Sequence, residues 1–375
     1  MKKNWKKKAS LLVLTAFSMS LLLTGCGGGA DKSQAPAEEK SDKVTAGFIY
    51  IGPANDGGYS QVHDEGRVAM LEAVGADKVA TIVQEEVPED QGIESVMNAM
   101  IDNGAEIIFA NSFGYMDYVE KVAKANPDVK FMHFSGYLMG DNYGNYFGRM
   151  YQPRYLTGVA AGLTSETGKI GYVAAMPTPE VIRGINAFTL GVRSVNPEAT
   201  VQVSWTNTWY DPAVEKQAAE ALLDAGVDTI AQHQDSTAPQ QAAAERGAYS
   251  VGYNTDMSAA NPKGYISAPV WHLGAFYTAQ MQAVVDGTWK VQSYWGGMDD
   301  GVVGLSEFGT CVTDETKAAV KAVEDKILAG EFDVFEGEIK DQNGEVKVAA
   351  GEKLSDADML SMMWFVEGVI GTIPQ

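Results

Sequence analysis

Short runs rich in Val, Ile and Phe alternate, from Lys43 onward, with longer stretches in which apolar residues recur at helical spacing. No other feature limits the fold as much. Parallel strands need a long crossover, and a strand run followed by a helix and a further strand run is the pattern of a βαβ unit. The first unit is "KVTAGFIYI", the loop "GPANDGGYS" and a helix whose Gly66, Ala69, Met70 and Ala73 share one face. "TIVQEEV" opens the second, with Ile93, Val96, Met97 and Met100 at the same spacing. "AEIIFANS", a helix to Ala125 and "VKFMHFSGY" complete four strands and three helices.

An aromatic and polar loop, "DNYGNYFGRMYQP", leads into the small-residue helix "RYLTGVAAGLTS", and the alternation begins again. "KIGYVAAM", "VQVSWTN", "DTIAQHQ" and "YSVGYNTD" read as strands, separated by helices of which the first turns Ile185, Phe188 and Val192 inward. The pattern predicts two α/β lobes in series, since about 330 residues exceed one ordinary core. "GYISAPV" and the helix "WHLGAFYTAQMQAVVDG" return toward the first lobe, and "YWGGMDDGVVGLS" reads as a Gly-rich turn region. A helix in "DETKAAVKAVEDKILAG", a hairpin turning at Asn343-Gly344 and a final helix in "SDADMLSMMWFVEG" with a Ser355/Asp358 capping box end the chain.

Ahead of the alternation, Lys2, Lys3, Lys6, Lys7 and Lys8 precede an apolar stretch from Leu11 to Leu23. It is shorter than the roughly 20 residues that a membrane span requires, and reads as a secretory signal. "LTGC", residues 23–26, resembles a bacterial lipobox, which implies cleavage before Cys26 and diacylation of its sulfur. Acyl chains anchor because each buried CH₂ contributes about 0.8 kcal/mol. The following "GGGADKSQAPAEEKSDK" has nothing to pack and reads as a flexible tether. Formal net charge is −21, and about −26 once the leader lysines are gone, so nucleic acid is not an expected partner. With Cys26 acylated only Cys311 remains, a packed small hydrophobe by this reading, and the fold must be held by burial without disulfides.

The segments are therefore 1–25 signal, 26–42 tether, 43–148 with about 274–310 as the first lobe, 149–273 as the second, and 311–375 as C-terminal helices and hairpin.

The loop "IGPANDGGYS" has glycines at the P-loop interval, Gly52 and Gly57, but Gly58 and Tyr59 stand where Lys and Ser/Thr would hold phosphate and magnesium. Ligands of open parallel sheets bind beyond the carboxyl ends of the strands. Those ends deliver Asn55, Asp56 and Tyr59; Asn111, Ser112 and Phe113; Ser135; Met176; Trp205 and Trp209; His233, Gln234 and Asp235; Asn254 and Asp256; Trp271 and His272. Aromatics, carboxylates and amides dominate, without Lys or Arg. Such a set suits a planar heterocycle, gaining about 1–3 kcal/mol per stack and offering edge N–H groups to carboxylates and amides. Each residue has an ordinary alternative: Tyr59, Phe113 and Trp209 as packing between lobes, Asp56 and Asp235 as helix caps, Asp256 as a turn carboxylate. Four histidines without H-E-x-x-H, and the lack of a G-x-S-x-G elbow, give no metal site and no hydrolase nucleophile. No cofactor is expected.

The markers "GFIYIGPANDGGYS", "ANPDVKFMHFSG", "YLTGVAAGLTSETGKIGYVAAM", "NTWYDPAVEKQAAEALLDAGVDTI" and "YSVGYNTD", behind a lipobox, resemble the basic membrane protein family of ABC-transporter substrate-binding lipoproteins, which includes purine nucleoside receptors. The resemblance implies a type I periplasmic-binding-protein fold, two doubly wound parallel-sheet lobes joined by hinge crossovers near residues 147–153 and 268–274. It implies that Asp56 with Tyr59 meets a base, that Trp209 stacks on its other face, that Phe113 adjoins, and that Asp256 binds ribose. Asn111, Asp235, Asn254 and Trp271 complete the expected ligand set. Trp271 stands where the family has a lysine, which points to a free purine base such as adenine, with a purine nucleoside next. Partners implied are an ABC permease and ATPase, and the membrane through the lipid, for a chain acting as a monomer without catalysis. A ligand-binding sensor lipoprotein, or an exported nucleoside-processing enzyme using Asp56 or His63, are the alternatives.

Overall fold

Two all-parallel sheets organise residues 43–374, which are those described by the computed structural model. The leader and the tether, with Cys26, lie outside them. The first run of elements is β1 (Val44–Tyr50), α1 (Tyr59–Val74), β2 (Val79–Gln84), α2 (Gly92–Asp102), β3 (Ala105–Asn111), α3 (Met116–Ala125), β4 (Lys130–Phe134) and β5 (Tyr143–Gly148). The second is α4 (Tyr151–Thr164), β6 (Lys169–Ala174), α5 (Pro179–Val195), β7 (Thr200–Trp205), α6 (Pro212–Asp224), β8 (Thr229–His233), α7 (Ala238–Glu245) and β9 (Tyr249–Val251). The chain then gives β10 (Pro269–Trp271), α8 (Gly274–Val285), β11 (Ser293–Gly296), β12 (Val303–Leu305), α9 (Asp314–Leu328), β13 (Ile339–Lys340), β14 (Val346–Val348), α10 (Asp356–Leu360) and β15 (Val369–Ile370). Strand order is β11-β5-β4-β3-β1-β2 in the six-stranded sheet and β15-β7-β6-β8-β9 in the five-stranded one. This is the type I periplasmic-binding-protein architecture.

Three stretches differ from the sequence reading, each for a packing reason. "DNYGNYFG" contains β5, buried at every position, where a loop was expected. Gly144 admits the chain entering β11: a Cβ there would run into the Gln292 carbonyl oxygen. The Gly-rich region beyond α8 likewise holds two strands, β11 beside β5 and β12 antiparallel to β10. On α1 the buried face is Val62, His63, Gly66, Met70 and Val74, while Ala69 and Ala73 are exposed. The α8 helix crosses at Gly66, and His63 Nδ1 meets Tyr277 Oη at 2.6 Å.

The crossings between the sheets are tied into one bundle. Arg149 N donates to the Gly296 carbonyl at 2.6 Å, Trp295 Nε1 donates to the Gly148 carbonyl at 3.0 Å, and a Cβ on Gly148 would strike Val303 and Trp271. The C-terminal segment lies on the second sheet. There β15 pairs in parallel with β7, while Asn186 on α5 donates to the Trp364 carbonyl at 2.8 Å and accepts from Val366 N at 3.0 Å. The hairpin is present as β13 and β14, with Gly344 at φ 80° in its turn. The Ser355 capping box forms too, but its helix is only five residues long.

Helices α4 and α5 cross backbone to backbone. A Cβ on Gly158 would enter the Phe188 carbonyl oxygen, and one on Gly191 the Tyr155 carbonyl oxygen. In an isolated helix Gly→Ala gains about 1 kcal/mol of propensity. Here the helices must part, and overpacking of this kind costs about 1–3 kcal/mol. Gly158→Ala and Gly191→Ala should each lower the melting midpoint by a few degrees; a raised midpoint would contradict the close crossing.

Candidate functional site

In each sheet the strand order reverses at one point, between β1 and β3 in the first and between β6 and β8 in the second. Helices leave on opposite faces there, so a crevice opens beyond the carboxyl ends. The two crevices face each other. Tyr59 arrives after β1, Ser112 and Phe113 after β3, and Ser135 after β4; opposite them stand Glu180 after β6, Trp209 after β7, His233 at the end of β8 with Asp235 just beyond it, and Tyr253 after β9. They enclose about 280 Å³ not occupied by protein atoms, part of it open to solvent.

Each side chain is held by its local structure. Tyr59 is the first residue of α1, whose amino end is fixed by Asp56: one carboxylate oxygen accepts from Gly58 N at 2.7 Å and Gln61 N at 3.1 Å, the other from Ser60 N at 2.7 Å. Glu180 occupies the first turn of α5 behind Pro179, and its Oε1 lies 3.3 Å from His233 Nε2. His233 in turn packs on Tyr253, centroids 4.5 Å apart, while the Arg154 guanidinium covers that tyrosine at 3.9 Å. Trp209 reaches across, its Nε1 donating to Glu89 Oε2 at 3.2 Å; Glu89 also accepts from Ser112 Oγ and Gly114 N, both at 2.6 Å. The lobes meet elsewhere too, where Thr255 Oγ1 donates to the Gly57 carbonyl at 2.8 Å.

Asp235 differs from its neighbours. Only 3 % exposed, its carboxylate takes part in no hydrogen bond among the described residues, although its backbone N donates to the Trp209 carbonyl at 3.3 Å. Burial, reinforced by Asp56, Glu215, Glu180 and Glu89, pushes its carboxyl well above the usual range. The Tyr59 hydroxyl is raised by burial and then by Asp235. Burial also pushes Glu180 up to about 7 against the pull of Arg183 and Arg154. The arrangement is a slot between aromatic side chains with carboxyl groups on its rim. It offers acceptors to N–H donors of a flat ligand.

Of the nine expected ligand residues, Tyr59, Phe113, Trp209 and Asp235 meet in this slot, and five do not line it. Asp56 is spent on the α1 amino end. Asn111 accepts from Tyr146 Oη at 2.6 Å in the core behind. Asn254, at φ 71°, accepts from Trp271 Nε1 at 3.1 Å, and Trp271 packs on Phe134 and Phe147 inside the bundle of crossings. Asp256 is exposed and accepts from Ser258 N at 2.8 Å in its own turn. Trp271 therefore carries no argument about ligand size. Sequence reasoning missed Glu180 and Tyr253. Tyr253 directly follows the β9 region and was legible; Glu180 required extending the strand end into the first turn of the next helix.

Residues 43–338 match the family model described as PnrA-like ABC-transporter substrate-binding protein. A purine-binding protein of Brucella abortus is 44% identical over 339 residues, covering 90% of this chain and 96% of that one. TsgA13 of Haloferax volcanii, whose name assigns it provisionally to glucose binding by an ABC transporter, is 40% identical over 92% of this chain and 85% of its own. Among solved structures, a solute-binding protein of an ABC transporter system from Aeropyrum pernix superposes with a TM-score of 0.68 at 20% identity, covering 80% of this chain and 93% of that one.

The raised Asp235 carboxyl has a linkage consequence. A carboxyl whose folded pKa lies above its unfolded value contributes stability below the unfolded pKa, near 4, and loses it as pH rises through the folded value. His63, lowered to about 3, and His133, lowered to about 4, act oppositely, since buried neutral histidine costs stability as pH falls below about 6.5. The difference between wild type and Asp235→Asn isolates the carboxyl. Asp235→Asn should melt higher than wild type at pH 7.5, with the gap closing toward pH 4. A gap independent of pH would show that Asp235 is not held in this way.

Proposed function

The chain belongs to the PnrA-like family of ABC-transporter substrate-binding proteins, and we propose that it captures a purine, a free base such as adenine in preference to a nucleoside, and presents it to a membrane permease driven by a cytoplasmic ATPase. One observation carries the reading: the buried Asp235 carboxyl, without a hydrogen-bond partner among the described residues, faces a slot walled by Tyr59, Phe113 and Trp209. Purine rings supply what that slot lacks, two faces for stacking and N–H donors for the carboxyl. The slot is narrow between its aromatic walls, which favours a base over a base with its sugar. The purine-binding relative supports the class of ligand. On this reading Cys26 carries the lipid anchor, the protein works as a monomer at the outer face of the cell membrane, and lobe closure about the crossings buries the ligand without chemistry.

Carboxyls beside aromatic rings also suit a pyranose, and the name of the Haloferax relative gives that reading an arm in the test. Thermal shift against adenine, hypoxanthine, guanine, their nucleosides, uracil, ribose and glucose should raise the midpoint with purines alone. A ligand at 100 times its Kd adds about 2.7 kcal/mol. A shift with glucose and none with purines would overturn the proposal. Trp209→Ala should weaken purine binding by about 1–3 kcal/mol on stacking grounds, and unchanged affinity would remove Trp209 from the site.

A further inference from the structure

Beyond Glu180 lies a second, wider space of about 1280 Å³ not occupied by protein atoms and partly open to solvent. It shares Phe113, Ser135 and Glu180 with the inner slot as a common wall, and runs between β11 and α10. Most of its polar groups are already paired with their neighbours. Asn145 Oδ1 accepts from Ser293 Oγ at 2.7 Å, and its Nδ2 donates to the Leu138 carbonyl at 3.2 Å. Both Asp356 oxygens accept from Arg149 at 2.8 Å, and Ser361 Oγ donates to the Ala357 carbonyl at 2.8 Å. What remains is mainly apolar: Phe147, Tyr294, the half-exposed Leu360 and Tyr137, which is 65% exposed.

Besides the hydroxyls of Ser135, Tyr137 and Tyr294, one charged donor group faces this surface. Arg183 is 3% exposed, and its guanidinium lies 5.1 Å from the Trp295 ring centroid. Its Nη1 donates to the Met359 carbonyl at 2.7 Å, while Nε and Nη2 donate no hydrogen bond among the described residues. A sugar wants acceptors for its adjacent hydroxyls, and the amide and carboxylate acceptors on these walls are largely spent. A ring-sized apolar group carrying one acceptor matches what is left.

We propose that this outer space is a second subsite that takes an apolar, ring-sized substituent carried by the purine in the inner slot, with Arg183 donating to an acceptor on that substituent. The proposal rests on the purine reading and extends it to the class of purine bound: a substituted base whose substituent passes beside Glu180.

Titration calorimetry of the full chain against adenine, N6-benzyladenine, 9-benzyladenine, N6-furfuryladenine and adenosine tests it. At least one benzyl derivative should bind about tenfold tighter than adenine. The furfuryl oxygen should add to the gain of the N6-benzyl compound, and Arg183→Met should remove that increment when each compound is compared with adenine in the same variant. Ala357→Trp, at an exposed position on α10, should fill the outer space and cancel the benzyl gain while leaving adenine affinity unchanged. Derivatives that bind no tighter than adenine, a gain that survives in Ala357→Trp, or adenosine binding tighter than every other probe would overturn the subsite and leave the base reading standing. Failure of adenine and all its derivatives to bind would remove both.

Discussion

Parallel strands cannot be joined by a short turn, and nearly everything else in this molecule follows from that. Each crossover helix returns the chain to the start of the next strand, so every strand in a sheet ends on the same edge. Two sheets built this way, joined by a bundle of crossings, turn those edges toward each other. The walls of the slot are consequently strand-end, loop and first-turn residues from seven places in the chain, Tyr59 to Tyr253. None of them is near another in sequence except Ser112 beside Phe113 and His233 near Asp235. The scaffold supplies the convergence, and the individual residues supply the chemistry.

The lobes approach so closely that side chains are excluded at one contact. A Cβ on Gly58 would enter the Asp235 carbonyl oxygen, and one on Gly57 would stand 2.9 Å from Thr237 Cγ2, with Gly57 itself at φ 81°. The glycine pair that resembles half of a phosphate loop therefore serves backbone proximity between lobes. Glu89 adds a polar tie, because it holds the Ser112 loop of one lobe and the Trp209 indole of the other. The Trp209 indole, positioned by a bond across the cleft, ties the two lobes together at the slot.

The site is held at a thermodynamic disadvantage. A buried carboxyl without a donor among the described residues, a second one near neutral pKa, and a histidine kept neutral by burial beside two arginines are features that a core selected for stability alone would not keep. They persist because the surrounding packing over-determines them. Phe134, for instance, contacts His63, Tyr59, Tyr146, Phe147 and Trp271 at ring-centroid distances of 4.6 to 5.8 Å. A rigid aromatic wall behind the slot lets the polar groups in front of it stay unsatisfied.

How much could be read beforehand depends on the range of the physics involved. Hydrophobic periodicity is local, so the βαβ alternation, the two lobes, the capping box at Ser355 and the turn at Gly344 were all legible. Strands β5 and β11 were not, because their glycines and tyrosines look like loop residues until each backbone lies against the other. The same limit divides the site. Strand-end placement was enough to nominate Tyr59, Phe113, Trp209 and Asp235, but it could not distinguish a carboxylate left open toward the slot from one saturated by its own helix. Asp56 and Asp235 look alike in sequence, each just ahead of a helix. Only the fold decides that three backbone N–H groups claim the first and that, among the described residues, none reaches the second, because hydrogen-bond satisfaction depends on which groups tertiary packing brings within about 3 Å.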